Sequence, residues 1–338
     1  MEGCTLGFVL TTEQFDAFLA GLARDYDIYA PKRLPGRGAF SGTDLYAYGP
    51  VRSLAEIVFD RKTFYSPKEI LLPINQTLFY FTEDSYREPR QPERPVIIFL
   101  RPCDANAIKR LDRIYLHNGP APDPYYQRRR EKVKFFVIEC SEGFDSCFCV
   151  SLGTNRTDDY AVFLRPEEGR VLCDARGEFA AVLAARGREV SFTPAFIERN
   201  KITVRLPEKI GPQVFDHPLW REYDSRCIAC GRCNVCCPTC TCFTMQDIFY
   251  ADNPRCGERR RVWAGCMIDG FTDLAGGHSF RKSYGERMRF KTMHKVYDFK
   301  KRFGEHMCVG CGRCDDVCPE YISFSRIINR LAEVSAGE

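Results

Sequence analysis

Cys227, Cys230, Cys233 and Cys237 are spaced C-x2-C-x2-C-x3-C and followed by Pro238; Cys308, Cys311, Cys314 and Cys318 repeat the spacing and are followed by Pro319. This is the run that holds [4Fe–4S] clusters through cysteine thiolates. Three cysteines at i, i+3 and i+6 on a tight turn converge their sulfurs, while the fourth lies past the turn and points toward the neighbouring cluster. The expected ligand sets are therefore crossed. Cys227, Cys230 and Cys233 would share a cluster with Cys318, and Cys308, Cys311 and Cys314 with Cys237. Zinc fits less well, because zinc sites favour two separated C-x2-C pairs, often with histidine, and the chain has five His. Disulfides would be unusual without an export signal.

A less regular constellation lies upstream. Residues 96–100 (Val-Ile-Ile-Phe-Leu) form a continuous apolar run, as expected of a buried strand, ending at Arg101-Pro102-Cys103-Asp104. Asp104 is placed to cap a helix reaching Tyr115. Residues 133–138 form a second buried strand that leads into Glu139-Cys140. A strand–helix–strand unit has parallel strands, which end at one sheet edge, where open α/β sheets place ligands. Cys103 and Cys140 would meet there, and Cys147 and Cys149 follow in the next loop. A third cluster on these four thiols is one reading; buried free cysteines are another. In an intermediate reading one thiol misses, since C-x-C side chains point to opposite faces of an extended chain.

Around these sites the expected elements are ordinary. Residues 12–24 suit a helix capped by Thr12, with Phe15, Phe18, Leu19 and Leu22 on its core face. Strand-like pieces occur at 45–48, 77–81 and 160–164, and short helices at 67–72 and 179–185. The composition turns from apolar runs to cysteine near 205–218. We therefore expect an α+β domain over 1–212 and a mainly α-helical dicluster domain over 213–338. Within the long insertion between the runs, 244–250, 262–267 and 287–303 are read as helical. Its basic positions, Arg259–Arg261 and the stretch 281–302, suit a solvated face with i,i+4 partners. The alternatives are a docking surface for an acidic partner, or positive charge that stabilises a reduced cluster. Gly276-Gly277-His278 suits a tight turn or a loop. Cys173 is read as structural, and Cys236, Cys240, Cys242, Cys256 and Cys266 are left without a metal role.

Several classes are disfavoured. No apolar run approaches the ~20 residues that span a bilayer. Residues 5–10 are too short for a signal-peptide core, and Cys4 lies too early to follow a lipoprotein-type segment. A reducing cytoplasm is expected, where thiolates stay available to iron. A net charge of +4 over 338 residues gives no electrostatic case for nucleic acid. The dinucleotide fingerprint, the P-loop, C-x2-C-H and H-E-x-x-H are all absent. A thiol–disulfide enzyme built on the upstream cysteines would need a low-pKa, alkylatable thiol among them. The chain thus has the means to pass electrons but no visible site for a hydride donor or a multi-electron substrate.

Arg101-Pro-Cys103-Asp-Ala-Asn-Ala107, Cys140 with Cys147-Phe-Cys149-Val-Ser-Leu-Gly-Thr-Asn155, and the two cluster runs occur together with Gly257-Glu-Arg-Arg-Arg261, Trp263, Met267 and Gly276-Gly-His278. In that combination the chain resembles, from about residue 12 to 330, the A subunit of dissimilatory-type anaerobic sulfite reductases. More distantly it resembles the beta subunit of cytosolic sulfhydrogenases. The resemblance implies an iron–sulfur subunit of a hetero-oligomer, passing electrons from an FAD- and NAD(P)H-binding subunit to a sirohaem subunit that reduces sulfite. The same relay in a hydrogenase is the alternative. It also implies that Cys103, Cys140, Cys147 and Cys149 are ligands of a third [4Fe–4S] cluster.

Overall fold

A computed structural model describes residues 5–336; Cys4 lies outside the described residues. Twelve strands build the two main sheets: β1 (Thr5–Thr11), β2 (Asp27–Leu34), β3 (Leu45–Pro50), β4 (Asn75–Phe81), β5 (Tyr86–Arg87), β6 (Val96–Leu100), β7 (Val133–Ile138), β8 (Val162–Glu167), β9 (Arg170–Ala175), β10 (Arg188–Phe192), β11 (Phe243–Tyr250) and β12 (Asn253–Trp263). The larger sheet runs β10-β1-β9-β8-β7-β6-β2-β3. Its centre, β2-β6-β7-β8, is parallel, and the flanks are antiparallel. The apolar runs of β6 and β7 are buried because helices cover both faces. Phe15, Phe18, Phe179 and Leu183 pack on one side, and Ile108, Leu111 and Tyr126 on the other.

The strand–helix–strand unit is parallel as expected, with Ile98 opposite Phe135. Two caps differ from expectation. The first helix, Thr12–Leu22, is capped by Thr11 in a capping box with Gln14; the hydroxyl that reaches the third backbone N–H belongs to the residue just outside the helix. The helix Pro102–Tyr115 starts two residues ahead of Asp104, because proline suits the first turn, where its missing N–H costs nothing. Asp104 is thereby left for another partner.

The larger correction lies in the insertion. Of the stretches expected to be helical, 244–250 lies in strand β11, and 262–267 is the end of strand β12 followed by a turn. β11 is rich in Phe, Ile, Thr and Tyr, which favour strands; β12, with only Val262 and Trp263 of that kind, is held by pairing with β11 on one side and β4 on the other. The resulting sheet, β11-β12-β4-β5, takes strands from both sides of residues 205–218. The expectation of a mainly α-helical second half therefore fails across this hairpin. The expected helix at 287–303 is present, as Tyr284–Met293, a π-helical turn His294–Asp298, and Phe299–Phe303. Gly276 and Gly277, both at positive φ, close the three-residue loop 275–277 of a hairpin between Asp273–Leu274 and His278–Ser279. Around the runs a second core gathers Trp220, Met267, Met288, Met293, Ile327 and Leu331. Among the described residues no helix is long and apolar enough to cross a membrane.

Candidate metal centres

Each run opens with a loop and ends in a single helical turn, Arg232–Val235 in the first and Arg313–Asp316 in the second. Gly231 and Gly312 precede these turns in the left-handed region, at φ 69° and 71°, a conformation glycine takes without strain. Cys227, Cys230, Cys233 and Cys318 line one cavity, with Lys291, Met288 and Ile327. Cys314, of the other run, borders it. Cys237 lies on the far side, where its charge is felt at Cys308 and Cys311. Cys230 is exposed, whereas Cys311 is buried.

The second run is pressed against the upstream cysteines. Phe148 N donates to Gly310 O at 2.8 Å, and Thr154 Oγ1 to Val309 O at 2.7 Å. A Cβ on Gly310 would come within 2.6 Å of Cys149 N. The Cys311 carbonyl accepts from Lys62 Nζ at 3.0 Å and lies 3.6 Å from Cys147 Sγ. Arg313 closes the seam with a bidentate pair to Asp104, at 2.6 and 2.8 Å, and donates to Thr63. Its side chain is 3% exposed and that of Asp104 is 0%. A two-pronged guanidinium is the group that can satisfy a buried carboxylate in this way.

Cys103 packs with Ala107, Val309 and Cys311, and the charge of Cys149 is felt at its thiol. Cys140 interacts with Cys147 and with Cys149. Cys140, Cys147 and Cys149 thus stand within electrostatic reach of one another, and Cys103 within reach of Cys149 and of Cys311 in the second run. Cys149 has right-handed helical backbone angles, so the segment from Cys147 is not extended there and the alternation behind the intermediate reading does not apply. Arg101 Nη1 lies 3.7 Å from Cys140 Sγ. Among the described residues no three His, Cys, Asp or Glu side chains are set for a single metal ion.

The cations around the sulfurs test whether this donor set suits an anionic cluster. Lys68, Lys291 and Lys295 are all buried, with relative exposures of 3–4%. Lysine is almost never fully buried unless paired. Lys62 and Arg313 have carboxylate partners, Asp316 and Asp104; Lys291 and Lys295 face sulfur, and Lys68 donates to the carbonyls of Cys240 and Asn234. Burial works against the Lys291 ammonium, yet Cys233 and Cys314 hold its pKa well above the usual lysine range. Burial likewise opposes Lys295, whose pKa Cys237, Cys240 and Cys308 raise. At Lys68 burial wins and the pKa falls, against the pull of Cys240 and Cys237. His294, next to Lys295, is pushed down to about 4 by burial and then by that lysine. Buried ammonium groups of this kind need buried negative charge, which thiolate-ligated iron–sulfur clusters supply.

The basic stretch is therefore not one solvated face. Arg287, Lys291 and Lys295, four residues apart, point inward, while Lys282, Lys300, Lys301 and Arg302 are exposed. Arg259 pairs across the hairpin with Asp247, and Arg261 is buried against Asp123 and Gln76. Asn234, 2% exposed, donates to Cys240 Sγ at 3.5 Å and Cys266 Sγ at 3.4 Å. Cys242 and Cys266 hydrogen-bond to each other, and Cys173 is fully buried. Lys62 and Lys68 are not singled out by the sequence, and Asp104 only as a helix cap. Asp104 had a signal in standing beside Cys103, and Arg313 in the repeated Gly-Arg-Cys; Lys68 had none.

Residues 226–322 match the family model of the 4Fe-4S dicluster domain. The match spans both cysteine runs and implies two [4Fe–4S] clusters. Over nearly its whole length the chain is also similar to the sulfhydrogenase 2 subunit beta of Pyrococcus furiosus. The two are 29% identical over 350 aligned positions, covering 96% of this chain and 98% of the relative. Together the two comparisons support an iron–sulfur electron-transfer subunit related to that beta subunit.

Proposed function

We propose that this chain is the electron-relay subunit of a hetero-oligomeric oxidoreductase, equivalent to a sulfhydrogenase beta subunit and at work in the cytoplasm. Cys227, Cys230, Cys233 and Cys318 would hold one [4Fe–4S] cluster, and Cys308, Cys311, Cys314 and Cys237 a second. Cys103, Cys140, Cys147 and Cys149 would hold a third. When bound, the clusters supply one-electron transfer, with potentials set by charge, hydrogen bonds and exposure. The residues of the chain insulate these places, balance their charge and fix their order. The upstream thiols adjoin the second run through Cys103 and Cys311, and the exposed Cys230 marks the other end.

The observation that carries this reading is the set of buried lysines facing sulfur. An enzyme doing thiol–disulfide chemistry on the upstream cysteines would have no use for Lys291 and Lys295, which lie among the thiols of the two runs. The resemblance adds an FAD- and NAD(P)H-binding partner as electron donor. The sulfite-reductase reading keeps the support of the motif blocks around Cys103, Cys140 and Gly257–Arg261. Two measurements test the proposal. Anaerobically purified chain should contain about twelve irons, falling toward eight in Cys140→Ser; about eight in both would remove the upstream centre. A nickel-containing partner in the purified complex supports the hydrogenase relay, and sirohaem would replace it with the sulfite-reductase relay.

A further inference from the structure

We propose that Lys295 and Lys68, buried beside Cys237, make the centre on Cys308, Cys311, Cys314 and Cys237 the first in the chain to accept an electron, ahead of the centre on Cys227, Cys230, Cys233 and Cys318. The inference rests on the cluster reading above and concerns the order of its centres.

The charges around the two ligand sets are unequal. Lys295 Nζ donates to Thr239 Oγ1 at 2.7 Å, and that hydroxyl lies 3.4 Å from Cys237 Sγ. The Lys295 carbonyl accepts from Met307 N at 2.9 Å and Cys308 N at 3.2 Å. One lysine thus touches both chain segments of the second set. It sits in the π-helical turn His294–Asp298, a local widening of a kind found at functional sites. Lys68 arrives from the other half of the chain. Its Nζ donates to Cys240 O at 3.1 Å and Asn234 O at 3.2 Å, and lies 4.2 Å from the Trp263 ring centroid.

Lys291 lines the cavity of the first set and bonds to Cys233, while its charge also reaches Cys314, so it counts mainly for the first set: one cation there against two at the second. Arg313 and Lys62 are neutralised by Asp104 and Asp316. Besides Lys291, Asp315 opposes the proposal, with its carboxylate 3.5 Å from Cys314 Sγ. Its charge is spread over hydrogen bonds from Ser323 and Phe324 N.

Reduction adds one electron to a centre that is already anionic, and breaks or forms no bond. Cations that balance this charge raise the potential; loss of solvent lowers it. Exposure of Cys230 therefore favours the first set, and Lys295 with Lys68 the second. The cations decide the order, because Lys295 reaches Cys237 through one hydroxyl and Lys68 is held at the Cys240 carbonyl three residues on, both buried where salt and water screen little.

The test is an EPR-monitored redox titration of the full chain, loaded with clusters and assayed for iron and labile sulfide. In the wild type, the most positive couple should survive in Cys230→Ser. It should move to lower potential in Lys295→Met and return in Lys295→Arg, while the other couples hold. Lys68→Met should move it the same way, and decides the matter if Lys295→Met does not fold. Two results would overturn the inference: loss of the most positive couple in Cys230→Ser, or no movement in the folded lysine variants. Wild-type chain that binds no iron would instead overturn the cluster reading itself.

Discussion

The two cysteine runs are nearly the same sentence written twice, and the molecule uses them differently. Both carry Cys-Gly-Arg-Cys, both turn through a left-handed glycine, and both end in one helical turn. In the first run Arg232 is exposed and Cys230 faces outward. In the second, Arg313 is locked to Asp104 and Cys311 lies against the upstream half. Local sequence dictates the local turn in both. What surrounds the turn decides whether its arginine is a solvated side chain or the keystone of a seam.

Exchanging ligands should break the comparison most sharply. Cys311→Ser and Cys230→Ser are each expected to cost about four irons. Cys311→Ser should also lower Tm markedly, since loss of a centre at the seam leaves Lys295 and Lys68 buried without counter-charge, whereas Cys230→Ser, which weakens the counter-charge of Lys291 alone and lies away from the seam, should lower it less. Iron analysis and calorimetry on the same samples would check both; equal Tm losses would mean the second set is not the structural one. Next in size is the pair of arginines. Arg313→Met leaves Asp104 buried and unpaired, which costs roughly 3–5 kcal/mol. Arg232→Met, at the matching position, should stay within about 0.5 kcal/mol. Urea unfolding of the two variants measures the difference.

The lysine variants sharpen the contrast electrostatically. A unit charge about 6 Å away, at an effective dielectric of about 20, is worth roughly 3 kcal/mol, or on the order of 100 mV for one electron. Lys295→Met should thus lower the couple of the second set by about that amount. A shift below a few tens of millivolts would mean that solvent screens the site more than its burial implies.

How much of this was legible depended on distance along the chain. The cysteine runs, the buried strands β6 and β7 and the helix 287–303 announce themselves by spacing or periodicity, so they read correctly. Strands β11 and β12 did not. The β-prone residues of β11 became decisive only because β12 pairs with it and, on its other edge, with β4 far upstream. Lys68 was invisible for the same reason, since nothing near residue 68 hints at a carbonyl of Cys240 as its partner. The basic stretch was misread because Lys291 and Lys295 have the same four-residue spacing whether they face water or sulfur. Only the packing of Met288, Met293 and Val296 into the second core shows which side is inward.

The glycines give the smallest and most local contrast. Alanine at Gly231 or Gly312 meets the same left-handed backbone penalty, about 1–2 kcal/mol. Beyond that the two differ in what a Cβ would strike. At Gly312 it collides with the Ser146 carbonyl, backbone that is itself held by the seam; at Gly231 it meets the end of the Ile268 side chain. Ile268 is 37% exposed and can rotate toward solvent, whereas the Ser146 segment can yield only by opening the contact between the upstream cysteines and the second run. Gly312→Ala should therefore be the more destabilising by roughly 1–3 kcal/mol, the usual cost of overpacking, and Gly231→Ala should remain near the backbone penalty alone. Urea unfolding of both variants decides it. Equal costs would show that the seam gives way as easily as an exposed side chain, and the division between a structural run and a solvent-facing run would then have to be abandoned.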